Sequence, residues 1–436
     1  MTAVIAILVV LVGILVSIAL HEVGHMVPAK KFGVRVSHYF VGFGPTLWSR
    51  TKGETEYGVK AIPLGGYVRL VGMYPPAPAG KKQSDGFFGR MVQDAREMSA
   101  EEILPGQEPR AFYNLSVPKK VIVMFGGPFM NLVIAFVLMT IVLVGIGLPQ
   151  ATTTVGLVPQ CVTPATAPAD YECTADDPLT PAAEAGLEPG DTIVSFDGEP
   201  VTSWDSLVGK ITGAAGETVP VVVERDGERT TLEITPAQVE RPVVGDDGQY
   251  VRDDAGELVL RPTGYVGVAP TQERVSEPLS AVPEAIWQQV SGTAAIIVSL
   301  PARLVDIGQA AFGDEARDPS SPVGPVGVTI VAADLLDAGE GDLVGQVATM
   351  LSLLASLNIA LFAFNLIPLP PLDGGHIAGA LYEGAKRQVA KVRGLPRPAH
   401  ADVARLVPLG LAMWVVLLGM GLLLIYADIV NPVRLT

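Results

Sequence analysis

Residues 2–25 read TAVIAILVVLVGILVSIALHEVGH, and this stretch decides the fold. Residues 2–20 carry no charge and are long enough to cross a hydrocarbon layer of ~30 Å as a helix. The run ends in His21-Glu22-Val23-Gly24-His25, the H-E-x-x-H pattern. Positions i and i+4 share one helix face, so both imidazoles can grip one metal ion, with Glu22 beside it to take a proton from water. His21 falls about 25 Å along the helix from Val4, near one edge of the layer, where water can reach it. The alternative is a helix-end histidine pair with Glu22 snorkelling to the headgroups. Ionisable groups at this depth are costly, which favours a functional reading. No basic region opens the chain and no small-residue cleavage site precedes His21, so a retained helix is expected rather than a signal peptide.

The 436 residues are 49% apolar, too apolar for an ordinary soluble enzyme and too polar for a pure transporter. Three further stretches are long and apolar enough to span: 120–148, 345–375 and 406–428. Residues 284–312 are interrupted by Arg303 and Asp306 and weakened by Gly292 and Pro301, so they read as an amphipathic or interfacial helix. The expected fold is a polytopic α-helical membrane protein with four transmembrane helices.

Charge orients those spans. Residues 30–120 hold 14 basic and 8 acidic side chains, and residues 376–405 hold 6 and 2. Residues 149–344 hold 9 basic and 32 acidic, nearly the whole source of the net charge of −15. The basic excess puts 30–120 and 376–405 in the cytoplasm, and with them the active end of the first helix. Residues 149–344 and both termini are then outside. Cys161 and Cys173, the only cysteines, fall in that outside segment, where a disulfide is permitted and favoured. Nothing in the charge pattern suggests a nucleic-acid partner.

The organisation that follows is a motif-bearing helix (1–28) and a cytoplasmic or re-entrant β-element with a loop (29–119). The second span (120–148) leads to an extracytoplasmic domain with insertions (149–275), then an amphipathic helix and acidic linker (276–344). The third span (345–375), a cytoplasmic loop (376–405) and the last span (406–428) complete it. In 34–72, alternation and Gly-Gly breaks suggest short strands, either dipping into the membrane beside the metal or lying at its surface. Residues 73–118 read as a Pro-rich loop with a short helix. Gly126, Gly127 and Asn131 of the second span read as helix-contact residues. Residues 180–236 alternate β-branched strands with Gly-Asp and Asp-Gly turns, including a hairpin at Asp226-Gly227. They look like a PDZ domain of the bacterial protease type, able either to bind an extended peptide or only to gate access.

Two histidines leave a catalytic zinc site one ligand short. Asp373, in NLIPLPPLDGG (365–375), follows an apolar run at the same depth as His21 and is the obvious third ligand. Three prolines break the helix there. His376 is a second, weaker candidate. Asn365 sits inside the span and needs a partner, either substrate backbone and carbonyl or a neighbouring helix.

HEVGH, FGGPFMN, the PDZ-like insertion and NLIPLPPLDGG occur in this order over nearly the whole chain. In this the chain resembles the site-2 proteases, intramembrane zinc metalloproteases, and most of all the bacterial branch that cleaves anti-sigma factors. The resemblance implies one Zn2+ on His21, His25 and Asp373, with Glu22 as general base. It implies that Asn365 contacts substrate and that Gly65, Gly66, Tyr67 and Val68 offer it an edge strand. It also implies cleavage of a single-span membrane protein, akin to an anti-sigma factor, in or near its membrane segment. That cut would follow site-1 trimming, at the bacterial plasma membrane, as a step of regulated intramembrane proteolysis. The rival classes are a catalytically idle scaffold using the PDZ-like domain, and a metal transporter. The complete His21/Glu22/His25/Asp373 set disfavours the first, and the scarcity of polar groups in spans two and four disfavours the second.

Overall fold

The computed structural model describes residues 2–77, 86–162, 173–174, 177–243, 251, 259–313, 321–338 and 342–433. It divides into a helical unit, Met1–Ile146 with Pro278–Thr436, and a β-rich unit, Gly147–Glu277. In the helical unit the chain begins with α1 (Thr2–Lys31), β1 (Val36–Lys52), β2 (Thr55–Leu70), α2 (Phe87–Glu101) and α3 (Val117–Thr140). A π-helical turn, Ile141–Ile146, extends α3. Lys30 and Lys31 close α1, where positive charge suits the helix C-terminus.

The β-element is more folded than two long strands suggest. Phe40 is paired with Tyr67 on one side and Gly58 on the other, and His38, Tyr39 and Val41 are likewise flanked on both sides. Residues 46–52 pair with 55–60. The order is therefore 46–52, 55–60, 36–41, 66–70, and 66–70 is an outer edge. The Tyr39 hydroxyl donates to Ala19 O at 2.9 Å and ties the sheet to α1.

The β-rich unit runs β3 (Leu148–Leu157), α4 (Pro181–Glu184), β4 (Thr192–Phe196), β5 (Glu199–Pro200) and α5 (Trp204–Gly213). It continues with β6 (Val219–Arg225), β7 (Glu228–Ile234), β8 (Ala237–Pro242), β9 (Leu260–Tyr265) and β10 (Ala269–Val275). The main sheet has the order β10-β3-β4-β6-β7, with β5 on β4, and β8 and β9 form a separate pair. Ile193, Phe196, Leu207, Val221 and Val223 form its core. Asp226 and Gly227 both take positive φ, as the expected two-residue hairpin turn requires. Cys161 and Cys173 are joined by a disulfide. The segment 163–172 between them, and most of the acidic stretch 244–258, lie outside the described residues.

The helical unit resumes with α6 (Ala281–Phe312), α7 (Pro325–Ala338), α8 (Leu343–Asn365), α9 (Asp373–Val392) and α10 (Val407–Val430). Three expectations change here. Among the described residues five helices, not four, are long and apolar enough to cross a membrane, because α6 stays helical through Pro301. The acidic linker contains α7, which starts inside SPVGPVGV. Its Gly327 N–H donates to the buried Asp428 of α10 at 2.7 Å, and a Cβ at Gly324 or Gly327 would press on that carboxylate. Residues 376–405, expected to be a loop, are helical as far as Val392. In each case a packing partner outside the segment supplies what local sequence did not signal.

Candidate metal centre and its cavity

α1 carries His21 and His25 on one face, one turn apart, with Nε2 atoms 3.2 Å from each other. α3 crosses that face backbone to backbone. A Cβ on Gly24 would strike the Gly126 carbonyl, and one on Gly126 would strike that of Gly24. At Gly127 a Cβ would fall onto Nε2 of both histidines. Glycine is needed there for close approach, since its φ is ordinary.

The third side chain arrives from the other end of the chain. α8 stops at Asn365, residues 366–372 run irregularly, and Asp373 opens α9. A Cβ on Gly374 would meet the carbonyls of Leu366 and Ile367, and one on Gly375 the backbone of Leu369 and Pro370. The two glycines thus let the chain fold back on itself behind the carboxylate. Asp373 Oδ2 then lies 3.3 Å from Nε2 of both His21 and His25.

The imidazoles are held from behind. His25, 5% exposed, donates Nδ1–H to Val123 O at 2.8 Å. His21 Nδ1 lies 3.1 Å from the side-chain amide of Asn131, which is fully buried. With the amide oxygen of Asn131 turned to Nδ1–H, both rings keep the lone pair on Nε2. That rotamer also gives the oxygen, otherwise without a hydrogen bond, a donor. Two nitrogen lone pairs and a carboxylate oxygen then converge within hydrogen-bonding distance with no proton donor between them. Asp373 Oδ2 is buried without a hydrogen-bond partner. Such a cluster is repulsive unless a cation sits in it, and two imidazoles with one carboxylate are a zinc donor set. Among the described residues these three are the group able to hold a metal ion.

The trio opens onto a cavity of about 670 Å3 also lined by Glu22, Gly66–Leu70, Asn365 and His376. A Cβ on Gly66 would sit 3.4 Å from Glu22 Cγ, so the base candidate stands against the sheet edge. Gly66, Tyr67 and Val68 line the cavity. Gly65 does not: it takes φ +107° and forms the bend before the edge, where a Cβ would also strike Phe43. Asn365 donates to Leu361 O of its own helix at 3.0 Å and lines the cavity. His376 lines it too but stands outside the three-atom cluster. Gly127 and Asn131, read from sequence as helix contacts, both touch the histidines. FGGPFMN beside an H-E-x-x-H helix was the available signal, but the pairing of the two helices is needed to read it.

The model of peptidase family M50 matches residues 9–397. Zinc metalloprotease Rip1 of Mycobacterium tuberculosis is 35% identical over 431 residues, covering 97% of this chain and 96% of that one. Rip1 of Mycolicibacterium smegmatis is 34% identical over 440 residues, with 97% and 96% covered. Metalloprotease MmpA of Caulobacter vibrioides is 30% identical over 386 residues, with 86% and 85% covered. With this agreement along nearly its whole length, the chain belongs to peptidase family M50, the membrane-embedded zinc metalloproteases of the site-2 type.

Proposed function

We propose that this protein hydrolyses a peptide bond in or near the membrane segment of a single-span protein, with His21, His25 and Asp373 as zinc ligands and Glu22 as general base. The observation that carries this reading is the convergence of three lone-pair atoms, without a donor, beside Glu22 and an open sheet edge. Zn2+ held there supplies Lewis acidity to water and to the scissile carbonyl. The Glu22 carboxylate takes the proton of the attacking water and returns it to the leaving amine. A membrane helix hides its carbonyls in its own hydrogen bonds, so the substrate unwinds locally. The outer edge at 66–70 offers the exposed backbone new partners. Asn365, held by Leu361 O, is assigned to contact the substrate backbone, and Gly65 to aim the edge.

Four spans, α1, α3, α8 and α10, fit this chemistry, with the active end cytoplasmic and both chain termini outside the bacterial plasma membrane. α6 packs Val282 and Ile286 against Met139 and Leu143 near the far end of α3, and Ile307 and Ala311 against Leu424 and Ala427 near the far end of α10. Both of its ends lie away from the metal cluster, which supports a helix lying along the outer face rather than crossing. The β-rich unit is assigned as a PDZ-like gate that admits substrates already trimmed outside, an anti-sigma factor being the expected kind. A Cβ on Gly264 of β9 would strike the Ile211 carbonyl of α5. α5 is thus already covered by the unit's own strand, which favours gating over peptide capture.

The test is cleavage of a trimmed single-span reporter by wild type and by Glu22→Gln. The substitution should lower the rate by about 10^2–10^4-fold, the scale of general-base catalysis, and leave bound zinc unchanged. Equal cutting by both would contradict the assignment.

A further inference from the structure

One stretch of the cavity lining has a chemistry of its own. Ala95, Met98, Ser99 and Glu102 line it from α2 and the residue after it, at i, i+3, i+4 and i+7, one helical face. Met73 and Tyr74 line the cavity too, as does Met124 of α3, one turn before Gly127. The polar groups on this stretch are engaged with one another. Ser99 Oγ accepts from Tyr74 N–H at 3.1 Å and donates to Tyr74 O at 3.3 Å. Glu102 pairs with Arg69, at the end of the sheet edge, at 2.7 Å. The other residues of this stretch of the lining are three methionines, an alanine and a tyrosine.

The wall is also fixed. Besides the Ser99 and Glu102 ties, Arg96 grips both carboxylate oxygens of Asp402 at 2.8 and 2.6 Å, joining α2 to the segment before α10. A wall anchored at 69, 74 and 402 is pre-organised rather than a mobile cover. The cavity, at about 670 Å3, has the size of a ligand pocket, more than a water and an extended backbone require.

We propose that Met73, Tyr74, Ala95, Met98 and Met124 form the specificity pocket for a large apolar side chain flanking the scissile bond. This rests on the cavity being the catalytic site. The occupant follows from position: a segment paired along 66–70 turns alternate side chains to the same side. A membrane segment supplies apolar ones. Methionine walls adapt to leucine, methionine or phenylalanine but give a charge no partner.

The test uses the purified full chain and a reporter first shown to be cut by wild type and spared by Glu22→Gln. The residues flanking the mapped cut are then varied among Leu, Phe, Ala and Asp. Wild type should favour Leu and Phe over Ala in kcat/KM by about tenfold or more, the scale of apolar-pocket discrimination, and reject Asp. Ala95→Trp, which narrows the pocket, should lower the Leu-to-Ala ratio at least tenfold. Met98→Ala, at a largely exposed position that does not threaten folding, should shift preference toward Phe. A flat wild-type series, or ratios unmoved by both variants, would overturn the pocket. The Glu22→Gln control tests the catalytic assignment and the reporter ratios test the wall, so the two can fail separately.

Discussion

Two carboxylates ten residues apart on α9 are satisfied in opposite ways. Glu383, 2% exposed, lies 2.9 Å from Lys120 Nζ and 2.6 Å from Arg387, and accepts from the Ala401 N–H at 3.0 Å. Burial pushes its carboxyl up, but Lys120, the Ala401 N–H and Arg387 together outweigh that and hold it below its ordinary value. Asp373 has two imidazoles within 3.3 Å and no fixed cation among the described contacts. At Glu383 the chain supplies its own positive charge; at Asp373 it supplies no fixed cation among the described contacts. Glu383 ties α3, α9 and the segment before α10 together. Asp373 has no such ties, as the proposed role of zinc ligand requires.

The comparison is broken most severely at Gly127. Replacing a mid-helix glycine by alanine ordinarily gains about 0.5–1 kcal/mol. Here the methyl would fall onto both Nε2 atoms. Gly127→Ala should keep its helicity and lose both bound zinc and about 10^2–10^4-fold in cleavage, read by metal analysis and reporter assay. At Glu383 the expected loss is of fold rather than chemistry. Glu383→Gln strands Lys120 and Arg387 in a buried site, at a cost of about 3–5 kcal/mol in thermal unfolding, with zinc still bound by the folded fraction. A smaller effect belongs to the support behind His21. Asn131→Ala should weaken zinc affinity about 10–100-fold in chelator competition while the stability of the helical unit changes little.

The smallest effect sharpens the same lesson in the β-rich unit. Asp191, 1% exposed, is paired with Arg225 at 2.6 and 2.7 Å, and that hydrogen bonding holds its carboxyl below the ordinary value of 3.8. A folded value below the unfolded one means the contribution is complete above the unfolded value and is lost as pH falls toward the folded one. Hydrogen exchange of β6 amides should be steady from pH 5 to 7 after correction for intrinsic rates and become faster below about pH 4. Asp191→Asn should remove that dependence.

The two halves of the His21/His25/Asp373 cluster, a candidate metal site, were legible because each is a local pattern: i, i+4 spacing at His21 and His25, and a proline-broken helix end before Asp373. The apolar runs of α1, α3, α8 and α10 were legible by length. What escaped depends on contacts between distant segments. Gly127 matters because α3 crosses α1 at Gly24. α7 lies in a stretch rich in proline, glycine and acid, and a buried Asp428, 101 residues beyond Gly327, meets its first turn. The doubled sheet at 36–70 rests on residues 38–41 having partners on both sides, which alternation alone cannot reveal. α6 reads as interrupted at Arg303 and Asp306, yet a continuous helix forms because its apolar residues pack on α3, α8 and α10.

The most direct test of the central claim is the zinc content of the purified full chain, measured by mass spectrometry for wild type and Asp373→Ala. Wild type should carry one zinc per chain and the variant almost none, while remaining folded. Full zinc occupancy in Asp373→Ala, or none in wild type after dialysis against zinc, would contradict that claim.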